Sequence, residues 1–392
     1  VHVIKPTWFT VVQVRTLDTQ KIRLPQLKKQ EYRMSLIEKL MKNSSIKATA
    51  PISESKVYGK KEMATTPVPM VNVALSGRVD GGLVPGLLML AGPSKHFKSA
   101  FALMMAAAYQ KKYDDAVILF YDSEFGTPQS YFESFGIDLD RVVHTPITDV
   151  EQLKFDIIKQ LDGIDKKDHV CIIIDSIGNL ASKKEVDDAM DGKSVADMSR
   201  AKQMKSLFRM VTPHLNLKDI PLVAVNHTYK EIGMFPKDIV SGGTGAYYSA
   251  DAIWIIGRRQ EKEGNEIAGY HFVINIEKSR HVREKSAIPI TVTFEGGISK
   301  WSGLLEVAEK LGYIHKPKVG WYEALNPKTG EVISEKLMRA KEVNSNGDFW
   351  KMMFTKTDLA DAIKKQYTIA SGNLISEEPL DEVEEVEDEN QA

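Results

Sequence analysis

Cysteine is nearly missing from this sequence. Cys171 is the single one among 392 residues, and it sits within an apolar run. One thiol excludes an internal disulfide framework and fits a reducing cytoplasm. Long hydrophobic runs are missing too. None approaches the ~20 residues of a membrane span, and residues 1–33 show no signal-peptide layout. No internal repeat suggests a solenoid. With 43% hydrophobic and 27% charged residues, the chain reads as a soluble globular protein with one large domain and smaller appendages.

An excess of charge is also lacking overall, at −1, but the balance is uneven along the chain. Residues 377–389 carry nine carboxylates and no lysine or arginine, so the remainder stands at +8. Residues 1–33 hold seven basic and two acidic residues, which leaves +3 for residues 34–376. A mildly basic body with an acidic tail allows a polyanionic partner without demanding one. By composition, residues 371–392 form a disordered acidic tail.

Residues 1–33 resemble nothing that follows them. Met34 opens Met-Ser-Leu-Ile-Glu-Lys-Leu-Met-Lys, which reads as a protein start and a short amphipathic helix over 34–42. Gln30-Glu31 just upstream can be encoded as a ribosome-binding sequence. The expectation is that residues 1–33 are a translated leader outside the native protein. A native gene product beginning before Met34 would overturn it. A polar stretch, 43–66, then reads as a linker.

The stretch that organises the chain is Leu87–Met105. An apolar run, Leu87 to Ala91, predicts a buried strand. Gly92-Pro-Ser-Lys-His-Phe-Lys-Ser99 predicts a turn, and the Ala, Leu and Met that follow predict a helix. Strand, loop and helix in that order form the context of a phosphate-binding loop. The loop Gly92, Pro93, Ser94, Lys95, His96, Phe97, Lys98 and Ser99 would surround nucleotide phosphates with its backbone N–H groups, Pro93 alone having none, where the helix dipole favours negative charge. Lys98 would reach the β- and γ-phosphates, and the Ser99 hydroxyl would sit on Mg²⁺. The usual second glycine is missing: Phe97 stands in its place.

Further strands are expected at Ala116–Asp122, Val142–Thr145, Val170–Asp175, Pro221–Asn226, Ile253–Gly257, Phe272–Glu277 and Ile290–Phe294, alternating at first with helical segments. Cys171-Ile-Ile-Ile is almost continuously apolar, as a parallel strand covered on both faces should be. The fold class is α/β, a mostly parallel doubly wound sheet with an antiparallel addition. Residues 67–300 read as this core. Residues 301–370 read as a small α+β C-terminal domain, with a helix from Leu304, a hairpin around Gly320-Trp321-Tyr322 and helices over 348–367.

Several strand ends carry groups suited to ATP hydrolysis. Asp175, after its apolar run, would hold Mg²⁺ through water. Glu124 and Asp122 both follow Leu119-Phe-Tyr, and either could orient a water on the γ-phosphoryl group. A period of two puts both on one side, so spacing does not choose between them. Asn226-His227 ends another strand, and a polar group there could report the γ-phosphate. Residues 178–198 contain Lys183, Lys184 and Lys193, and residues 228–245 contain Tyr229, Lys230, Met234, Phe235 and Lys237. Cations with exposed apolar groups suit single-stranded nucleic acid. A lid over the nucleotide has the same composition.

The ordered set Gly92-Pro-Ser-Lys-His-Phe-Lys-Ser, Phe120-Tyr-Asp-Ser-Glu-Phe-Gly, Ile174-Asp-Ser-Ile-Gly-Asn-Leu-Ala-Ser-Lys-Lys-Glu, Asn226-His-Thr-Tyr and Glu277-Lys-Ser-Arg resembles the RecA strand-exchange family, in the form carried by T-even-type phages. The resemblance covers about residues 34–370, and Phe97 is similar to the phage version of the loop. It implies a RecA-type P-loop core and a DNA-dependent ATPase that uses ATP and Mg²⁺. Such a protein forms helical filaments on single-stranded DNA and catalyses homologous pairing and strand exchange. It implies Glu124 rather than Asp122 as the water-activating carboxylate, Tyr131 stacked on adenine, and His227 as γ-phosphate sensor. Lys278 and Arg280 are implied as cations reaching a neighbouring subunit's nucleotide.

Residues 178–198 and 228–245 match the family's two DNA-binding loops, and the helix at 34–42 its oligomerisation element. The C-terminal domain is implied to gather double-stranded DNA under control of the acidic tail. Implied partners are further copies of the chain, a UvsY-like recombination mediator and a phage single-stranded-DNA-binding protein, in the cytoplasm of an infected bacterial host. A RecA-fold motor such as a hexameric helicase would share the core, but residues 1–66 are short and polar for the N-terminal domain it normally carries. A non-hydrolysing scaffold is disfavoured by Glu124.

Overall fold

A computed structural model describes residues 36–369 apart from 56, 60, 193–198, 232–237 and 264–265. The expected leader and the acidic tail lie outside the described residues. The chain divides into two units at residues 61 and 62. In the first, residues 36–43 form a helix, α1, with Leu36, Ile37 and Leu40 exposed.

The second unit opens with α2 (Pro69–Ser76). Proline at its first position suits the fixed backbone angle there, and Gly77 closes it in the left-handed conformation at φ 76°. Then follow β1 (Gly86–Ala91), α3 (Lys98–Lys112), β2 (Val117–Asp122), α4 (Gln129–Ser134), β3 (Val142–Pro146), α5 (Val150–Gly163) and β4 (Val170–Asp175). After these come α6 (Lys183–Met190), α7 (Ser199–Lys218), β5 (Pro221–Asn226), β6 (Thr228–Lys230), β7 (Asp238–Val240) and α8 (Gly243–Ser249). The core ends with β8 (Ala252–Glu263), β9 (Glu266–Ser279), β10 (Ala287–Thr293) and β11 (Gly297–Ile298).

Among the described residues, nine strands form one sheet in the order β11-β10-β9-β8-β1-β5-β4-β2-β3. Pairing is parallel from β8 through β1, β5, β4 and β2 to β3, and antiparallel from β8 out to β11. Every residue of β1, β4 and β5 is buried, because helices cover both faces of the sheet. One face packs Phe101, Met105, Cys171, Val223 and Trp254. The other packs Leu153, Ile157, Ile172, Phe208 and Leu222. Register sets the carboxyl ends level: Ala91 lies opposite Asn226, and Asp122 opposite Asp175. Three strand ends with polar side chains, Asp122, Asp175 and Asn226, therefore meet along one edge beside the end of β1, where ligands of open α/β sheets bind.

Beyond the sheet come α9 (Leu304–Lys310), a hairpin of β12 (Ile314–Lys318) and β13 (Trp321–Ala324), and β14 (Met338–Arg339) on its flank. Then α10 (Ala340–Ser345), α11 (Gly347–Lys356) and α12 (Leu359–Tyr367) complete the described chain. Gly320 turns the hairpin at φ 76°. Trp350, fully buried, donates its indole N–H to the Val343 carbonyl at 2.9 Å. Leu304, Trp350, Leu359 and Tyr367 continue the hydrophobic cluster that contains Met70 and Phe101. No helix among the described residues is long and apolar enough to cross a membrane.

Two differences from the sequence reading have local causes. The strands β8 and β9 extend well past the apolar runs at Ile253 and Phe272, because a long antiparallel ribbon pairs polar residues as readily as apolar ones. The stretch 178–198 contains α6, started by the Ser182 hydroxyl, which accepts from the Glu185 N–H at 3.1 Å. The helices expected over 348–367 are α11 and α12, divided at Thr357 and Asp358.

Candidate functional site

The loop between β1 and α3 wraps the mouth of a cavity of about 440 Å³. Its backbone turns through left-handed conformations at Lys95 and Phe97, both at φ 62°. Glycine would reach this shape freely, whereas a side chain there costs about 1–2 kcal/mol. At residue 97 the ring offsets that cost. It stacks on Phe272 at 5.2 Å and meets Phe101 edge-on at 5.7 Å. Arg258 braces the same loop by donating to the Lys95 carbonyl at 3.0 Å, while its guanidinium lies over Tyr270 at 4.5 Å. Gly92 tolerates no side chain, since a Cβ would fall 2.9 Å from the Ile256 carbonyl.

Lys98 is only 6% exposed and donates to the Pro93 carbonyl at 2.8 Å. Burial pulls its pKa below the usual lysine value, opposed by Glu124 and Asp175. His96 faces the Ser94 carbonyl at 2.9 Å, and burial lowers its pKa as well. Asp175 is buried at the end of β4. Burial pushes its carboxyl up to about 6, against the lowering effect of a hydrogen bond from Ser99, and Glu124 and Asp122 raise it further. Its Oδ1 is buried without a hydrogen-bond partner. An orphaned carboxylate oxygen beside a serine hydroxyl and phosphate-loop N–H groups fits a hard cation that shares its remaining ligands with phosphates and water. Among the described residues no group of three His, Cys, Asp or Glu could hold a metal without such help.

Glu124 and Asp122 part company at the end of β2. Asp122 Oδ1 accepts from the N–H groups of Glu124 and Phe125 at 3.0 and 2.8 Å, and its Oδ2 lies 3.2 Å from His144 Nε2. It is spent on the turn. The expectation of one shared side fails because the strand ends at Asp122, and period-two alternation ends with it. Glu124 turns into the cavity, where a single oxygen, Oε1, receives three neighbours. Ser176 Oγ is 2.6 Å away, Asn179 Nδ2 3.1 Å and His227 Nε2 3.1 Å. Gly178 permits this: a Cβ there would stand 2.3 Å from the His227 ring.

The cavity is lined by the phosphate loop, Glu124, Tyr131 and His227 on one side and by Arg258, Tyr270, Phe272 and Phe294 on the other. Its size suits a nucleotide, and its walls combine aromatic faces with a few cations and one carboxylate. The Tyr131 hydroxyl is pushed up by burial and stays neutral.

Two family descriptions match nearly end to end. The RecA N-terminal domain matches residues 27–299, and "Bacteriophage T4, Recombination and repair protein, C-terminal domain" matches residues 301–363. The chain belongs to the RecA family. It is similar to the recombination and repair protein of Enterobacteria phage T4, 50% identical over 89% of this chain and 90% of that one. It is also similar to the RecA proteins of Rickettsia massiliae and Rickettsia africae, each 26% identical over 64% of this chain and 72% of theirs. It is thus a recombinase of the RecA family, in the UvsX branch that the T4 protein represents.

The remaining residues named from sequence stand apart from the cavity of this RecA-family chain. Lys278 donates to the carbonyls of Tyr247 and Tyr248 at 2.9 and 3.1 Å, and burial lowers its pKa. Arg280 pairs with Asp251 at 2.5 Å. Lys183 is exposed at the start of α6, Lys184 pairs with Asp188, and Lys230 pairs with Asp238 at 2.9 Å. Tyr229 is 55% exposed. Lys193, Met234, Phe235 and Lys237 lie outside the described residues. Sequence reasoning missed Ser176, Asn179 and the far wall of Arg258, Tyr270, Phe272 and Phe294. Ser176 follows Asp175 directly and was within reach. The far wall comes from β8, β9 and the end of β10, far downstream in sequence, and sheet pairing brings it beside the phosphate loop.

Proposed function

We propose that the chain is a DNA-dependent ATPase that forms helical filaments on single-stranded DNA and catalyses homologous pairing and strand exchange, serving phage recombination, repair and recombination-dependent replication. The three-fold grip on Glu124 Oε1, beside Lys98 and Asp175, is the observation that carries the reading. With one oxygen held, Glu124 keeps Oε2 to orient a water and take its proton. Lys98 leaves the Pro93 carbonyl for the β- and γ-phosphates, and the loop N–H groups bind the same oxygens. Tyr131 offers its face to adenine. Mg²⁺, held through Ser99 and Asp175, supplies neutralisation of the charge that develops on the phosphates.

His227, in touch with Glu124 and at the root of the β6–β7 hairpin, links γ-phosphate to the second DNA stretch. Lys278 and Arg280 act on the nucleotide of an adjoining protomer, which makes turnover depend on assembly. α1, with its exposed Leu36, Ile37 and Leu40, serves that assembly. Residues 178–198 and 228–245 hold DNA through Lys183, Lys184, Lys193, Lys230 and Lys237, with Tyr229, Met234 and Phe235 against bases. Double-stranded DNA is gathered by residues 301–370. A UvsY-like mediator and a phage single-stranded-DNA-binding protein complete the partners, in the cytoplasm of the infected host.

The test is ATP hydrolysis by the full chain with and without single-stranded DNA, beside Glu124→Gln. Strong stimulation that the substitution abolishes supports the reading. Vigorous DNA-independent hydrolysis, or closed rings instead of filaments in electron micrographs, overturns it.

A further inference from the structure

We propose that Arg200 is a positioning residue for Glu124. Arg200 lies in the first turn of α7, at the far end of the chain stretch that begins with α6. Its Nε donates to the Leu180 carbonyl at 2.6 Å, and its Nη2 donates to the carbonyls of Ile177 and Gly178, each at 3.0 Å. Three carbonyls of one short loop converge on one guanidinium. A rigid, multiply donating fork makes that geometry; a lysine ammonium, a point charge on a flexible stem, makes only part of it.

The clamped loop is the one that aims Glu124. Ser176 and Asn179 belong to it and supply two of the three contacts on Glu124 Oε1. The third, His227, bears directly on Gly178, with no room for a Cβ between them. Arg200 is not among the residues that line the cavity, and its guanidinium bonds are to the three carbonyls. Its influence runs through the carbonyls on either side of Asn179. The mount for this clamp is firm, because Met204, Leu207, Phe208 and Val211 of α7 are buried in the core. A shift of the first turn of α7 therefore moves the three carbonyls together and with them the aim of Glu124. The inference rests on the proposed ATPase: DNA bound to the stretch 178–198 would act at both ends of this loop, through α6 and through Arg200.

The experiment uses the purified full chain and four variants: Arg200→Ala, Arg200→Lys, Asn179→Ala, and Asn179→Ala with Arg200→Ala. ATP turnover with single-stranded DNA, KM for ATP, and thermal unfolding are measured for each. Arg200→Ala is expected to lower DNA-stimulated kcat about tenfold with KM within about twofold. Arg200→Lys should recover part of the loss, and the double variant should be no slower than the slower single one. Unchanged turnover in Arg200→Ala overturns the inference. So does a loss accompanied by equal losses of nucleotide affinity and thermal stability, or multiplication of the two single effects. A wild type without DNA-stimulated hydrolysis defeats the proposed function instead, whereas an active wild type, a dead Glu124→Gln and an intact Arg200→Ala defeat this inference alone.

Discussion

Two carboxylates two residues apart end in different work, and the difference is set by where β2 stops. Asp122 is consumed by its own turn, while Glu124 gathers contacts from two other strand ends. Spacing could not divide them, since the cause is a strand boundary rather than a pattern. Asp175 shows the opposite case, legible from its apolar run, and it has a measurable cost. Its carboxyl is raised from 3.8 to about 6, so the folded state holds a proton that the unfolded chain releases earlier. Below about pH 4 both states are protonated and there is no penalty. As pH rises towards 6, stability falls, by at most about 3 kcal/mol, and the deficit persists above. Asp175→Asn is expected to raise the nucleotide-free melting temperature at pH 7.5, with the gain vanishing near pH 4. The same variant should lose the stabilisation that Mg²⁺-nucleotide gives the wild type. Equal melting temperatures at pH 7.5 would refute this. Phe97 gives a second test. Phe97→Ala removes the stack on Phe272 and keeps the left-handed strain; Phe97→Gly removes both. Glycine should therefore be the more stable of the two by about 1 kcal/mol in urea unfolding, the reverse of the order at ordinary sites.

Among the elements, the buried parallel strands were the most legible. The apolar runs in β1, β4 and β5 match their observed extents to within a residue because both faces of these strands are covered. The β8–β9 ribbon was legible only where it passes the core, since its outer half alternates polar residues without a hydrophobic signature. The β6–β7 hairpin has more to it than its six paired residues. The Asn226 side chain donates to the Ser241 carbonyl at 2.7 Å, and the Ser241 N–H donates to the His227 carbonyl at 2.9 Å. Both strands of the hairpin are thus pinned to the end of β5, next to the residue that touches Glu124. Asn226→Ala takes away the partner of the half-buried Ser241 carbonyl and of the His227 N–H, at a cost of about 1–3 kcal/mol. Its expected effect is a larger loss of DNA stimulation than of nucleotide binding, read by comparing DNA-dependent turnover with equilibrium binding of a fluorescent ADP analogue. Parallel losses of both would contradict the link.

For the whole molecule, Lys98 and Glu124 are expected to act within a subunit, and Lys278 and Arg280 between subunits. Lys278 and Arg280 stand outside their own cavity, held by the Tyr247 and Tyr248 carbonyls and by Asp251. Mixing Lys278→Ala with Glu124→Gln, each inactive alone, is expected to restore part of the turnover, because some junctions then combine an intact Glu124 with an intact Lys278. No recovery at any ratio would place Lys278 in a structural role. The charge distribution bears on the same scale. The nine carboxylates of residues 377–389 are expected to compete with DNA phosphates for Lys316 and Lys318, which are exposed on β12. Truncation after residue 376 should tighten binding to double-stranded DNA at low salt, with the difference fading as salt rises. Equal affinity at low salt would count against it.

The lone thiol in β4 has a practical use. Cys171 is sealed in the central sheet and its ionisation is suppressed by burial. A thiol reagent can reach it only when the sheet opens, so the rate of modification times that opening in unaltered protein. Nucleotide or DNA that tightens the core should slow this clock, and a cysteine introduced on the surface could be labelled while the native one stays silent.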